Sequence, residues 1–207
     1  MAEKVVKLKN EDAELWLSFQ SGDWDAYTQI YNLHFALLNN YGYKFTRDVT
    51  LIEDAVHDLF IKLWTNKSNL SIPVSIKNYL YKSLRGDLMR KLQSKSKFEH
   101  IDDTKQKELT FELSFDHQMV ANEEELELQQ NVKRVIQTLP ARQQEIIYLR
   151  YFEGLSYEEI SGIMEITVSS TYKLLYKGIN NLQNALKISK LSLIMLLSAE
   201  LIADYHK

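Results

Sequence analysis

Residues 76–97 hold seven Lys or Arg against one acid, Asp87. In SIKNYLYKSLRGDLMRKLQSKSK the cations Lys82, Arg85, Arg90 and Lys91 stand among Asn78, Tyr79, Tyr81 and Ser83. Cations neutralise phosphates and release counterions, and aromatic faces stack on unpaired bases. A solvated face of an amphipathic helix would carry the same cations, so these residues alone leave both readings open. Upstream, LIEDAVHDLFIKLW sets Asp54, His57, Asp58 and Ile61 at i, i+3, i+4 and i+7, one face of a helix. An apolar Ile within a polar patch points to protein contact, although a charged exterior with a partly covered Ile fits equally well. Glu53, Asp54 and His57 also match half of a di-iron helical bundle, which needs a second Glu-x-x-His. The other four histidines, His34, His100, His117 and His206, stand in no such context. There is no phosphate-cradling glycine loop and no nucleophile elbow. No catalytic residue, metal or cofactor is expected.

A third group depends on the elements that hold it. LPARQQEIIYLRYFEGLSYEEISGIMEITVSSTYKLLYKGINNLQNAL, residues 139–186, reads as helix, loop, short helix, tight turn and second helix. Pro140 suits the first helical position. Ile146, Ile147, Leu149 and Tyr151 supply an apolar stripe, and Gly154 marks the break. Ser156 and Glu159 form a capping box that starts a helix through Met164. Thr167 caps the next helix, which turns Val168, Thr171, Leu175, Ile179 and Leu182 inward. Two helices across so short a turn make a helix-turn-helix, whose second member enters the major groove. That geometry faces Ser169, Ser170, Tyr172, Lys173, Tyr176 and Lys177 toward a groove, with Arg142, Arg150 and the helix amino ends placed for phosphates. The pattern predicts DNA binding.

The whole chain supports a helical reading. Six Gly and two Pro in 207 residues, among many Leu, Ile, Glu, Lys and Gln, favour an all-α protein. The absence of Cys excludes disulfides and thiolate metal sites. The amino end lacks the apolar core of a signal peptide. The longest apolar run, residues 191–199, is too short to span a bilayer. A soluble, cytoplasmic chain without direct membrane insertion is expected. The net charge of −3 conceals a segregation: residues 98–128 carry ten acids against two Lys. The local field, not the total, decides where phosphate docks.

Helical periodicity runs from about Glu11 to Lys97. Trp24, Tyr27, Ile30, Tyr31, Phe35 and Leu38 form one face; Ile52, Val56, Leu59, Phe60 and Leu63 form another; Ile76, Leu80, Leu84 and Leu88 recur every four residues after Pro73. Residues 98–124 lose periodicity and predict a flexible, self-repelling linker. A second helical zone starts near Glu125 with Leu128, Val132, Val135, Ile136 and Leu139. Beyond Leu186, residues 187–207 carry a rough stripe of Leu191, Ile194, Met195, Leu197, Leu201 and Ile202. This extension reads as a helix covering the second core, or as a docking surface for an inhibitory partner.

The order of these features, over about Glu11 to Leu186, resembles the extracytoplasmic-function (ECF) branch of the sigma-70 family of bacterial transcription initiation factors. EDAVHDLFIKLW is similar to the family's polymerase-docking helix, IKNYLYKSLRGDLMRKLQ to its −10 melting and reading segment, and residues 139–182 to its −35-reading domain. The resemblance implies two helical domains, sigma2-like over 1–97 and sigma4-like over 125–186, joined by an acidic linker over 98–124. It implies that Asp54, His57, Asp58 and Ile61 dock on the clamp helices of core RNA polymerase. It gives Asn78, Tyr79, Lys82, Ser83, Arg85, Arg90 and Lys91 to the −10 element of promoter DNA. It gives Arg142, Arg150, Ser169, Ser170, Tyr172, Lys173, Tyr176 and Lys177 to the −35 element. A membrane-anchored anti-sigma factor is the implied regulator. Family members usually have Gln in place of His57, often Asn in place of Gly86, and more Lys or Arg on the −35 helix. A titrating His57 would make docking mildly pH-dependent. The alternatives are a helix-turn-helix transcriptional regulator, which would need a phosphoacceptor domain with strands, and an adaptor that binds polymerase without reading DNA.

Overall fold

The computed structural model describes residues 2–99, 131–132, 134–187, 193 and 197. Every regular element among them is helical, and the chain divides into two compact units, residues 1–107 and 108–207. The first unit contains α1 (Ala2–Gln20), α2 (Trp24–Gly42), α3 (Val49–Asn66), one 3₁₀ turn (Lys67–Asn69) and α4 (Ile76–Glu99). The second contains α5 (Ala141–Tyr151), α6 (Tyr157–Met164) and α7 (Val168–Leu186).

Short polar side chains start the helices of the first unit. Asp23 accepts from the amides of Asp25 and Ala26, and Asp48 accepts from that of Leu51. Gly22, at φ +97°, supplies the left-handed residue that lets α1 turn into α2. The amino end of α4 is capped from a distance: Asp12 of α1 accepts from the amide of Ile76 at 3.0 Å, and Ser75 from that of Asn78 at 3.4 Å. One carboxylate thereby ties α1 to the start of the basic helix.

The core of this unit follows the expected faces. Ile52, Val56, Leu59, Phe60 and Leu63 of α3 are buried, as are Ile76, Leu80, Leu84 and Leu88 of α4. Full burial of each such side chain stabilises by about 1.5–3 kcal/mol. The face expected on α2 splits. Ile30 and Leu38 are fully buried, whereas Tyr27, Tyr31 and Phe35 form a half-buried aromatic seam. Tyr31 lies 4.7 Å from Phe60 between ring centroids, and Trp24, largely exposed, meets Trp64 at 5.0 Å. α4 extends through Glu99, into the segment expected to be linker, and residues 101–124 lie outside the described residues.

In the second unit α5 begins at Ala141. Pro140 is its cap (φ −54°, ψ 141°), one position earlier than expected, and its carbonyl accepts from the amides of Gln143 and Gln144. The stripe expected on α5 is too narrow. Residues 143–149 are all buried, with Tyr148 rather than Tyr151 taking the fully covered place. Gln144 donates to the Leu139 carbonyl at 2.8 Å, and Asn181 of α7 donates to Gln143 Oε1 at 2.9 Å. These bonds satisfy polar groups that a buried helix would otherwise leave unpaired.

The Ser156–Glu159 capping box is present with both reciprocal bonds. Glu165, at φ 53° and ψ 49°, makes the left-handed turn out of α6, and Thr167 caps α7 through the amide of Ser170. Gly178 lets α7 approach α5 closely, since a Cβ there would sit 3.2 Å from Ile147 Cδ1. Of the carboxyl-terminal extension Lys187, Leu193 and Leu197 are described, the two leucines helical and buried; of the expected stripe only Leu197 is among them, and Leu191, Ile194, Met195, Leu201 and Ile202 lie outside the described residues. No helix among the described residues is long and apolar enough to cross a membrane.

Candidate nucleic-acid interface

The acidic face of α3 forms as its spacing predicts. Asp54 and His57 are exposed and Ile61 is 63% exposed, while Val56, Phe60 and Leu63 face the core. Asp58, the fourth member, points toward α4 and accepts a hydrogen bond from Lys91 Nζ at 2.8 Å. That bond holds the Asp58 carboxyl below the usual carboxylate range. Burial opposes the charge on Lys91, but the hydrogen bond to Asp58 and the nearby Asp87 outweigh it and raise the lysine's pKa. Two groups assigned to different partners therefore hold each other in the chain alone. Glu53, Asp54 and His57 do not form a metal cage, and no group of three His, Cys, Asp or Glu side chains gathers among the described residues.

Along α4 the residues divide by depth. Lys82 and Arg90 are exposed, and Asn78, Tyr79, Ser83, Arg85 and Lys91 are half-buried. Tyr81 belongs to the core: it is fully buried and stacks on Tyr41 at 4.6 Å, so it offers no face to an unpaired base. Its position follows Leu80 on the inward side, and the wider apolar arc of a helix packed on both α2 and α3 takes in two adjacent residues. Tyr79 packs edge-on against Trp16 at 5.3 Å while staying partly open.

Asp87 organises this surface. Its carboxylate lies 3.1 Å from Arg90, 3.5 Å from Lys62 and 3.6 Å from Lys91, with its side chain only 13% exposed. Lys62 of α3 was not among the expected contacts, because its spacing marks only a surface position. A cleft of about 230 Å³ opens here, lined by Tyr79, Ser83, Asp87 and Arg90 of α4 with Lys62 and Asn66. Farther along, Lys95 donates to Asp48 at 2.8 Å, which together with the Leu51 amide lowers the Asp48 pKa. Arg90, Lys91 and Lys95 are thus matched by the carboxylates of Asp87 in α4, Asp58 in α3 and Asp48 at the cap of α3.

In the second unit Ser169, Ser170, Tyr172, Lys173, Tyr176 and Lys177 are all exposed on one side of α7, opposite buried Thr171, Leu175, Gly178, Ile179 and Leu182. Val168, expected inward, is half-buried. Arg142 is exposed at the start of α5. Arg150 has a fixed position: Nη1 donates to the Leu155 carbonyl at 2.7 Å, and the guanidinium lies 4.9 Å from the Tyr157 ring centre. Tyr157 in turn stacks on Tyr172 at 3.8 Å with 23° between planes. Nothing in the spacing of Tyr157 announces this role, because the partner ring comes from a different helix.

Comparison with known proteins agrees with this geometry. Residues 129–182 match the family model described as Sigma-70, region 4. Over 175 residues the chain is 24% identical to the ECF RNA polymerase sigma factor SigW of Bacillus subtilis (strain 168), covering 81% of this chain and 92% of that protein. The fold is similar to that of CnrH, solved in complex with the cytosolic domain of CnrY (TM-score 0.57, 16% identity, 85% of this chain and 97% of that one). It is also similar to the sigma factor RpoE of Bartonella quintana, solved with the anti-sigma factor NepR (TM-score 0.59, 20% identity, 78% of this chain and 97% of that one). The helix-turn-helix unit is thus the part matched by the Sigma-70 region 4 family model, and over most of its length the chain is similar to an ECF sigma factor.

Proposed function

We propose that this chain binds core RNA polymerase and directs it to promoters by recognising −10 and −35 elements. The observation that carries the reading is the α6–α7 helix-turn-helix within residues 129–182, with one face of α7 buried and the other open along its length. The chain is not an enzyme; the polymerase supplies the chemistry. In this reading Asp54, His57, Asp58 and Ile61 of α3 contact the polymerase. Asn78, Tyr79, Lys82, Ser83, Arg85, Arg90 and Lys91 of α4 meet the −10 element. The cleft beside Tyr79 and Ser83 gives an unpaired nucleotide an aromatic edge and polar rim. Ser169, Ser170, Tyr172, Lys173, Tyr176 and Lys177 face the −35 groove, and Arg142 meets phosphate. Arg150, bonded to the Leu155 carbonyl and lying against the Tyr157 ring, is the second phosphate contact and steadies the groove-facing helix through that ring.

The sigma2-like domain spans 1–97, the linker 98–124, the sigma4-like domain 125–186 and the extension 187–207. The chain works in the cytoplasm beside the polymerase. Its regulator is a membrane-anchored anti-sigma factor; two proteins of the same fold were solved with proteins bound to them, one named an anti-sigma factor. The test is transcription from a promoter by purified core polymerase with and without the chain. A new start site appears only with it. Replacing Lys82, Arg85 and Arg90 by Ala abolishes promoter opening while co-elution with core persists. An adaptor that does not read DNA would lose neither activity or both together.

A further inference from the structure

We infer that Tyr172 reads a thymine of the −35 element through its 5-methyl group, with Arg150 and Tyr157 fixing the ring for that contact. This rests on the reading of α7 as the groove-facing helix. From Val168 to Lys177 that helix contains no Arg, Asn, Gln, Asp or Glu. Bidentate readout of adenine uses Asn or Gln, and acids read cytosine; neither is available on this stretch. Lysine reaches guanine, but Lys173 and Lys177 are compact charges on flexible stems and suit phosphates as well. The groove side is left with serines and tyrosines.

Ser170 is engaged in the helix cap, its hydroxyl 2.9 Å from Thr167 Oγ1 and its amide bonded to the same oxygen. Tyr172 offers a different surface. It sits in the second turn of α7, in the half of a recognition helix that enters the groove. The residue is 51% exposed, and one ring face is covered by Tyr157 at 3.8 Å. Tyr157 is backed by the Arg150 guanidinium, itself bonded to Leu155. The stack joins the end of α5, the start of α6 and α7. A ring held this way loses little freedom on binding, so more of the contact energy appears as affinity. Thymine presents the one apolar group on the floor of the major groove, and an apolar ring edge complements it.

The experiment uses holoenzyme made from core polymerase and the full chain, with promoter duplexes in which each −35 thymine is replaced singly by deoxyuridine. At one or two positions uracil lowers affinity about fourfold, the worth of one methylene-sized group removed from water. Tyr172→Ala removes that sensitivity, Tyr172→Phe keeps it, and Tyr157→Ala weakens it with helix content unchanged. If every uracil is tolerated while base-pair changes in the same element reduce binding, groove reading stands and the methyl contact falls. If Tyr172→Ala retains the uracil penalty, another residue reads the methyl. If no base-pair change in the element matters, α7 does not read sequence and the underlying reading falls with the inference.

Discussion

Gly42 sits where the end of α2 crosses α3, and a Cβ there would lie 2.6 Å from Ile52 Cγ2, inside any tolerated contact. Gly42→Ala therefore destabilises the first unit by about 1–3 kcal/mol despite alanine's better helix propensity. All three tryptophans, Trp16, Trp24 and Trp64, belong to that unit, so urea unfolding followed by their fluorescence isolates it. Combining Gly42→Ala with Ile52→Ala gives a loss smaller than the sum of the single losses, because the second change removes the atom that clashes. Strict additivity would reject the contact. The same signal tests His34, which burial, aided by Lys77 and opposed by Asp12, holds below its ordinary pKa; its Nδ1 is buried with no hydrogen-bond partner among the described residues. Below pH about 6.5 the unfolded chain takes up the proton that folded His34 resists, so stability falls as pH drops from 7 toward 5. Asp48 and Asp58, both depressed, add a second loss below about pH 4 as their carboxylates are protonated. His34→Gln flattens the first decline and leaves the second; an unchanged slope between pH 7 and 5 would remove His34 as its cause. At this scale the sequence showed what local spacing encodes, such as the Ser156–Glu159 box and the Thr167 cap. It did not show Asp12 capping α4 or Tyr157 stacking on Tyr172, since both partners are brought in by packing.

Helix α4 packs on α2 and α3 with its leucines, and its polar side then meets the acids of α3. The leucine period was legible because four-residue recurrence is set by helix geometry. The buried Gln143 and Gln144 were not, since glutamine is mostly a surface residue unless tertiary contacts satisfy it. Exposure of the Asp54–His57–Ile61 face was readable too, but the turn of Asp58 toward Lys91 depends on the α3–α4 crossing. That ion pair has a functional cost on the proposed reading: polymerase cations must compete with Lys91 for Asp58. Exposed pairs are worth about 0.2–1 kcal/mol. Lys91→Met therefore raises affinity for core polymerase by about fivefold at most, while holoenzyme affinity for promoter DNA falls. Asp58→Asn lowers core affinity, and adding Lys91→Met to it produces no gain. Binding of labelled chain to core, measured for the four members of this cycle, checks the expectation. A gain from Lys91→Met that survives in the Asp58→Asn background would show that the pair is not the reason.

Across the whole molecule, charge is segregated in a way that the total hides. Of the net −3, residues 98–128 contribute −8, so the remainder of the chain is +5. Attraction to DNA depends on the field at the basic surfaces, and ten carboxylates in the same chain oppose it over about 8 Å in physiological salt. On the proposed reading, a chain so balanced should bind duplex weakly on its own and rely on the polymerase to present its two units to the promoter. Replacing the ten acids by Asn and Gln should tighten binding of the free chain to non-promoter duplex and steepen its salt dependence. Each additional phosphate neutralised adds about 0.9 to the slope of log affinity against log salt. Fluorescence anisotropy at four or five salt concentrations measures both quantities, and promoter choice by the holoenzyme should become less selective as the non-specific term grows. An unaltered slope would mean that the acids lie too far from the cations of α4 and α7 to screen them, and that the weak basicity of α7 alone sets the free chain's affinity.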